Sequence, residues 1–226
     1  MNTEFLKSIK QLPLTDSQYV REITAKKQIV LHHTAGNSSA PNTVISWEND
    51  KRGRIATCVV ISGKGAKSTF DGEIVQCFSS KFWAYHLGIK PEVFKARKIN
   101  YQNLDRISVG IEICNWGWLT KDSEGKFRTY VGSVVPESDV IELEKPYKGF
   151  KYWHNYTDAQ IESVRNLLLY WCDLYKIPTS VLYTDLFEVS DKALKGEPGI
   201  YTHNSYRRDK SDIYPHPKLI EMLNNL

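Results

Sequence analysis

The stretch Gln28-Ile29-Val30-Leu31-His32-His33-Thr34-Ala35-Gly36-Asn37 constrains the fold more than any other part of the chain. Its continuous apolar run, Ile29-Val30-Leu31, asks for a fully buried strand. The run stops at two histidines, and Gly36 with Asn37 punctuates the turn that follows. Imidazoles at the end of a buried strand sit on a rigid element that opens onto a surface, a placement that suits metal ligation by neutral imidazole. Side chains alternate along a strand, so His32 and His33 point to opposite faces and only one is expected at a metal. The plain alternative is a pair of hydrogen-bonded histidines closing a strand end.

Two more runs of this kind follow, Ala56 to Ser62 and Arg106 to Cys114. The second carries one interior charge, Glu112. A carboxylate inside Val109-Gly110-Ile111-Glu112-Ile113 is costly to bury alone, so it is either paired structurally or kept for acid/base work. Within Ser68 to Phe78, Asp71-Gly72 ahead of Glu73-Ile74-Val75-Gln76 reads as a hairpin turn. Thr43 to Asp50 reads as a short helix holding Val44, Ile45 and Trp47 to the core. Trp83 to Gly88 reads as a loop, and residues 89–105 as a polar, irregular cover over a site. Thr157-Asp158-Ala159-Gln160 has the form of a capping box opening a helix to about Tyr175. That helix carries Ile161, Val164, Leu168, Trp171 and Cys172 along one face. Residues 179–200 read as an irregular connection, and Pro217 to Leu226 as a terminal helix. Strands alternating with helices in 226 residues argue for one α/β domain spanning 1–226. Residues 1–26 are expected as a leader packed on that domain, and 115–150 as a hairpin-like insertion.

Charge narrows the partners. The net charge is +4, and the Lys and Arg residues are dispersed, which is not a nucleic-acid footprint. Four cysteines, Cys58, Cys77, Cys114 and Cys172, form no CxxC pair and sit in apolar surroundings, as buried reduced thiols do. The first ten residues lack the layout of a signal peptide, and no run is long enough for a membrane helix. The expectation is synthesis in the cytoplasm.

Three separated features fit one metal site: His32 at the strand end, His203 after Ile200-Tyr201, and Asp212 in Lys210-Ser211-Asp212. A His/His/carboxylate set leaves a fourth position open, the catalytic arrangement rather than the closed structural one. Glu112 is then the natural proton carrier, and Lys210 is placed to steady an oxyanion. Trp116 and Trp118 line a sugar subsite or pack under the insertion. Arg207, Arg208 and Lys210 attract anions or form a solvated face. His154 and His216 read as solvated loop residues.

With these segments in order, the chain resembles the zinc-dependent N-acetylmuramoyl-L-alanine amidases, the type 2 superfamily shared by phage lysozyme-like amidases, anhydro-muropeptide amidases and animal peptidoglycan recognition proteins. The matching pieces are Ile29 to Gly36, Ala56 to Ile61, Asp71 to Gln76, Ala84 to Gly88, Ser108 to Ile113, Tyr156 to Gln160, and His203 through Asp212. The resemblance implies a central mixed β-sheet flanked by helices. It implies Zn2+ on His32, His203 and Asp212, with His33 behind the ligands, and Glu112 and Lys210 as catalytic residues. It places His86, with Thr57 and Trp116, toward the substrate. Thr57 and Cys58 stand where many members carry tyrosine and histidine, and Ile213-Tyr214-Pro215 follows the last ligand in place of Pro-Gly. The implied reaction is hydrolysis of the amide between N-acetylmuramic acid and L-alanine in peptidoglycan. The expected role is that of a phage endolysin released by a holin, or another wall-lytic enzyme. The alternatives are a muropeptide-recycling amidase in the cytoplasm and a non-catalytic peptidoglycan-binding module. Oligomeric state is not legible.

Overall fold

The computed structural model describes residues 3–36, 39–66 and 69–226, so Asn37 of the strand-end turn, the first two residues and Ser68 of the expected hairpin segment lie outside the described residues. In chain order the elements are α1 (Thr3–Ser8), β1 (Lys10–Gln11), β2 (Gln28–His33), α2 (Ala40–Glu48), β3 (Val59–Ile61), β4 (Ile74–Gln76), α3 (Pro91–Ala96), β5 (Ser108–Ile113), β6 (Trp118–Lys121), β7 (Phe127–Arg128), β8 (Val134–Val135), β9 (Val140–Tyr147), β10 (Phe150–His154), α4 (Asp158–Tyr175), α5 (Tyr183–Phe187), α6 (Asp191–Leu194), β11 (Gly199–Thr202) and α7 (Pro217–Asn224).

Six strands form a mixed sheet in the order β1-β4-β3-β5-β2-β11. The strand of the opening motif, β2, lies between β5 and β11 and runs parallel to both, with every residue buried. Burial on both faces is what its continuous apolar run demanded. Ile29 and Leu31 join the larger core with residues of α2, α4 and α7. Val30 faces the other way, toward Phe94 of α3 and Ala193 and Leu194 of α6. Helices therefore cover both faces of the sheet.

Thr157 caps α4 as expected: its hydroxyl accepts from the Gln160 amide at 3.1 Å, and the Gln160 side chain accepts from the Thr157 amide at 3.2 Å. The helix ends at Lys176, which takes the left-handed conformation at φ 56°. No helix among the described residues is long and apolar enough to cross a membrane. All four cysteines are buried and free.

Several expectations need correction. The Asp71-Gly72 turn does not join two adjacent strand ends. Strands β3 and β4 do pair antiparallel, but a loop of residues 62–73 joins them, closed where the Gly72 amide donates to the Ser62 carbonyl at 3.0 Å. The second helix begins at Ala40 because Ser39 caps it, with Pro41 in its first turn. Residues 89–105 and 179–200 are not irregular; they hold α3, α5 and α6. His216 is not solvated. It is 2% exposed, its Nδ1 accepts from the Leu219 amide to cap α7, and its Nε2 donates to Asn155 Oδ1 at 2.8 Å. His154 ends β10 and is partly buried, with its Nδ1 accepting from the Trp116 amide.

The segment after Asn115 builds a second sheet, antiparallel throughout, in the order β8-β7-β6-β10-β9. It runs on through His154. Trp153 anchors it, fully buried and stacked on Tyr214 at 4.6 Å between ring centroids. Tyr214 in turn stacks on Tyr156 at 5.0 Å.

Candidate active site

The parallel register places His32 beside Glu112, as it places Val30 beside Gly110. Paired residues on neighbouring strands share a face, so the strand-end histidine and the interior glutamate project together. His203 opens a short 3-10 turn at the end of β11, which pairs with β2 on its other side. Asp212 arrives from the following loop. Three elements far apart in sequence thus converge at the carboxyl ends of parallel strands, the usual location of sites in open α/β sheets.

Their donor atoms meet closely. His32 Nδ1 lies 3.1 Å from His203 Nδ1 and 3.1 Å from Asp212 Oδ2, and His203 Nδ1 lies 2.9 Å from the same oxygen. The proton positions follow from the surrounding bonds. His203 Nε2 faces the Leu87 carbonyl at 2.8 Å and must donate to it, which leaves Nδ1 with a lone pair. Ser108 gives its hydroxyl proton to the Leu104 carbonyl, so it accepts from His86 Nε2 at 2.9 Å. His86 Nδ1 is then an acceptor, and His32 Nε2 donates to it at 2.9 Å. His32 Nδ1 is left with a lone pair as well. Two lone pairs and a carboxylate oxygen facing one another at about 3 Å repel unless a cation lies among them. The spacing is close to the ~3.3 Å edge of a tetrahedron with metal bonds of about 2.0–2.1 Å. The donor set therefore fits a divalent cation.

The electrostatics agree. Burial pushes His32 down to about 4, against the pull of Asp212, so its ring is neutral, as a ligand must be. Burial pushes the Asp212 carboxyl up, and only positive charge at His203 and His32 outweighs it and holds it well below the usual carboxylate range; with both rings neutral, a cation among the three donors supplies that charge. Asp212 is aimed by its backbone. Asn204 Nδ2 donates to the Asp212 and Ile213 carbonyls, each at 2.7 Å, and the Ile213 amide donates to His33 Nδ1 at 3.1 Å. His33, on the opposite face of β2, also accepts from the Tyr156 hydroxyl at 2.8 Å.

The cluster lines a cleft of about 530 Å³ together with Glu112, Lys210, Thr57 and His86. Glu112 is half-buried and its carboxyl has no hydrogen-bond partner among the described residues. Burial first, then the Asp212 charge, push it well above the usual range, and Lys210 offsets part of this. Thr57 spends its hydroxyl proton on the Val59 carbonyl at 2.9 Å. Gly110 makes room here: a Cβ would stand 2.7 Å from Thr57 Cγ2 and 3.3 Å from His86 Nδ1. His86 lines the cleft, yet both ring nitrogens are engaged, so its ring serves His32. Trp116 is not among the cleft-lining residues; it packs half-buried against Leu119, Phe127 and Val135. Sequence reasoning missed Ser108, Asn204 and Asp105, whose carboxylate accepts the backbone amides of His86 and Leu87 at 2.8 and 3.0 Å. No local signal marks them, because their partners lie on other elements.

A His–His–carboxylate cluster opening on a cleft, with an unpaired buried glutamate and a free lysine beside it, is the equipment of a metal-assisted hydrolase. The comparisons give the family. The profile of the type 2 N-acetylmuramoyl-L-alanine amidases matches residues 23–217, and the chain belongs to this family of enzymes. Among solved structures it is similar to a selenomethionine derivative of AmpD, with 14% identity and a TM-score of 0.51, covering 100% of this chain and 97% of that one. It is also similar to the N-acetylmuramoyl-L-alanine amidase LysC from Clostridium intestinale URNW, with 14% identity and a TM-score of 0.50, covering 96% and 95%. The endolysin amidase LysCS of the same organism gives 14% and 0.50 over 96% and 93%. At such identities the likeness is one of fold. No curated protein matches the chain.

Proposed function

We propose that the chain is a zinc-dependent hydrolase of the amide joining N-acetylmuramic acid to L-alanine in peptidoglycan, acting on the cell wall as an endolysin or a related lytic enzyme. The observation that carries the reading is the convergence of His32 Nδ1, His203 Nδ1 and Asp212 Oδ2 within 3.1 Å, with Glu112 on the same face in register with His32. Zinc supplies Lewis acidity there, polarising a carbonyl and making water acidic near neutral pH. Glu112, kept hungry for a proton by its burial, takes one from the attacking water and hands it to the departing alanine amine. Lys210, whose side chain has no partner among the described residues, steadies the negative charge that gathers on the carbonyl oxygen. His86 fixes the ring of His32, and His33 holds the peptide after Asp212.

The test is zinc content and product analysis on purified sacculi. The unaltered protein should bind one zinc and release new amino-terminal alanine. His203→Ala should lose both the metal and the product. Full amine release by a metal-free His203→Ala protein would overturn the reading.

A further inference from the structure

The catalytic cleft has a side arm of about 320 Å³ that shares Thr34, Ala35, Trp47 and Glu112 with it. The outer wall of this arm is Tyr130, which belongs to the second sheet rather than the first. Tyr130 sits at the tip of the β7–β8 hairpin, and the tip is tightly closed. The Thr129 amide donates to the Ser133 carbonyl and the Gly132 amide to the Thr129 carbonyl, both at 2.9 Å. The Thr129 hydroxyl accepts from the Ser133 amide at 3.1 Å, and Arg128 donates to the Gly132 carbonyl at 3.1 Å. A turn held by four bonds nonetheless leaves Tyr130 55% and Val131 57% exposed. Among the described residues its ring contact is with Trp118, tilted at 6.3 Å. The fold therefore fixes an aromatic side chain in the open, over a cleft, without burying it.

The chemistry of the arm differs from that of the main cleft. Its lining offers hydroxyls and an amide from Thr43, Ser46 and Asn42, and among the lining residues Glu112 alone is acidic or basic at neutral pH. The main cleft carries Arg52, Asp209 and Lys210. A stem peptide brings carboxylates and ammonium groups, which suit the charged part. A saccharide is neutral, with many hydroxyls and apolar ring faces, which suits aromatic walls and uncharged hydrogen-bonding groups.

We infer that the arm between Trp47 and Tyr130 is a glycan subsite, in which the second sheet supplies the stacking side chain for a sugar of the polymeric wall strand. This inference rests on the peptidoglycan reading above. It also names the favoured substrate, a glycan chain carrying peptide rather than a free muropeptide.

Tyr130→Ala is the clean variant, because the ring is exposed and its loss leaves the core intact; Trp47 packs partly into the core. Two measurements decide. The first uses the tetrasaccharide of alternating N-acetylglucosamine and N-acetylmuramic acid with its lactyl carboxyls capped as methylamides, so that it is as neutral as the peptide-bearing strand, titrated by tryptophan fluorescence. The unaltered protein should show saturable binding, Tyr130→Ala about 3- to 10-fold weaker binding, and Tyr130→Phe and Tyr130→Trp near-normal binding. The second compares kcat/KM on a tetrasaccharide-peptide and on muramoyl dipeptide. Tyr130→Ala should raise KM 3- to 10-fold on the former and under 2-fold on the latter, with kcat unchanged. Tetrasaccharide binding that ignores position 130, or is absent from the unaltered protein, would overturn the subsite. So would a KM penalty that follows peptide length instead of glycan length. Failure of the unaltered protein to release alanine amine from either substrate would sink the amidase reading alone, and the fluorescence result would still stand.

Discussion

Ile213 has a φ of 62° and is fully buried. A β-branched residue in the left-handed region costs about 1–3 kcal/mol, and such strain persists only where neighbours over-determine it. Here Asn204 holds the carbonyls before and after the Ile213 Cα, those of Asp212 and Ile213, and His33 holds the Ile213 amide. The strained turn is what points the Asp212 carboxylate back at the two imidazoles. Removing the Asn204 amide should loosen that aim: Asn204→Ala is expected to bind zinc about 10- to 100-fold more weakly, read by competition with a chelator. Unchanged affinity would mean that Asp212 is aimed by something else. Glu112→Gln separates chemistry from binding. It should keep zinc and lose about 10²- to 10⁴-fold in kcat. The three side chains that meet at the cleft, His32, His203 and Asp212, were singled out in sequence because two are histidines at or just past strand ends and the third is a carboxylate in the loop that follows. The part played by His86 was not, since it depends on Gly110 lacking a side chain one strand away and on Ser108 passing its proton to Leu104.

The helix α4 shows the same division among elements. Its apolar face and capping box were plain in the sequence, because both are local and periodic. What α4 docks against was not. Gly72, at φ 80°, comes so near the helix start that a Cβ would stand 2.7 Å from the Ala159 carbonyl oxygen. The Thr157 hydroxyl donates to Asp71 Oδ1 at 2.8 Å, and Ser163 donates to the Gly72 carbonyl at 2.7 Å. The Asp71-Gly72 pair, expected to fold a hairpin, is thus the point where the 62–73 loop is fastened to α4. Thr157→Ala should cost about 1 kcal/mol through the lost cap. Gly72→Ala should cost more, about 2 kcal/mol or above, from strain and collision. The two changes share one dock, so in urea denaturation the double variant should lose less than the sum; strict additivity would show that cap and dock are independent. The second sheet was legible only as a hairpin-like insertion over 115–150, and its strand pairing was not, for a different reason. Strands β7 and β8 are two residues each, too short for alternation to register, and they are defined by pairing with β6 and with each other.

Taken whole, the molecule keeps five of its six imidazoles neutral by burying them. His32, His33, His154 and His216 are each pushed down to about 4 by burial, and His86 lies well below its ordinary value. A histidine whose folded pKa is depressed leaves the unfolded chain binding more protons below pH 6.5, so stability falls as pH drops from about 6.5 to 4. Each pKa unit corresponds to about 1.4 kcal/mol, and several such groups together rival the whole stability of a domain, about 5–15 kcal/mol. The Asp212 carboxyl, shifted below its ordinary value, adds to the loss at still lower pH, with the same sign. The metal-free protein should therefore unfold in acid between about pH 6 and 4 at 25 °C. His216 isolates the effect from the metal cluster, since it caps α7 and touches none of the proposed ligands. Asparagine at that position keeps a capping acceptor and removes the titrating ring. His216→Asn should match the unaltered protein at pH 7.5 within about 1 kcal/mol, and its stability should fall less steeply with pH, by up to one proton. Denaturation curves collected across that range would show it, and identical slopes for the two proteins would mean that the His216 ring takes up its proton as readily in the folded chain as in the unfolded one.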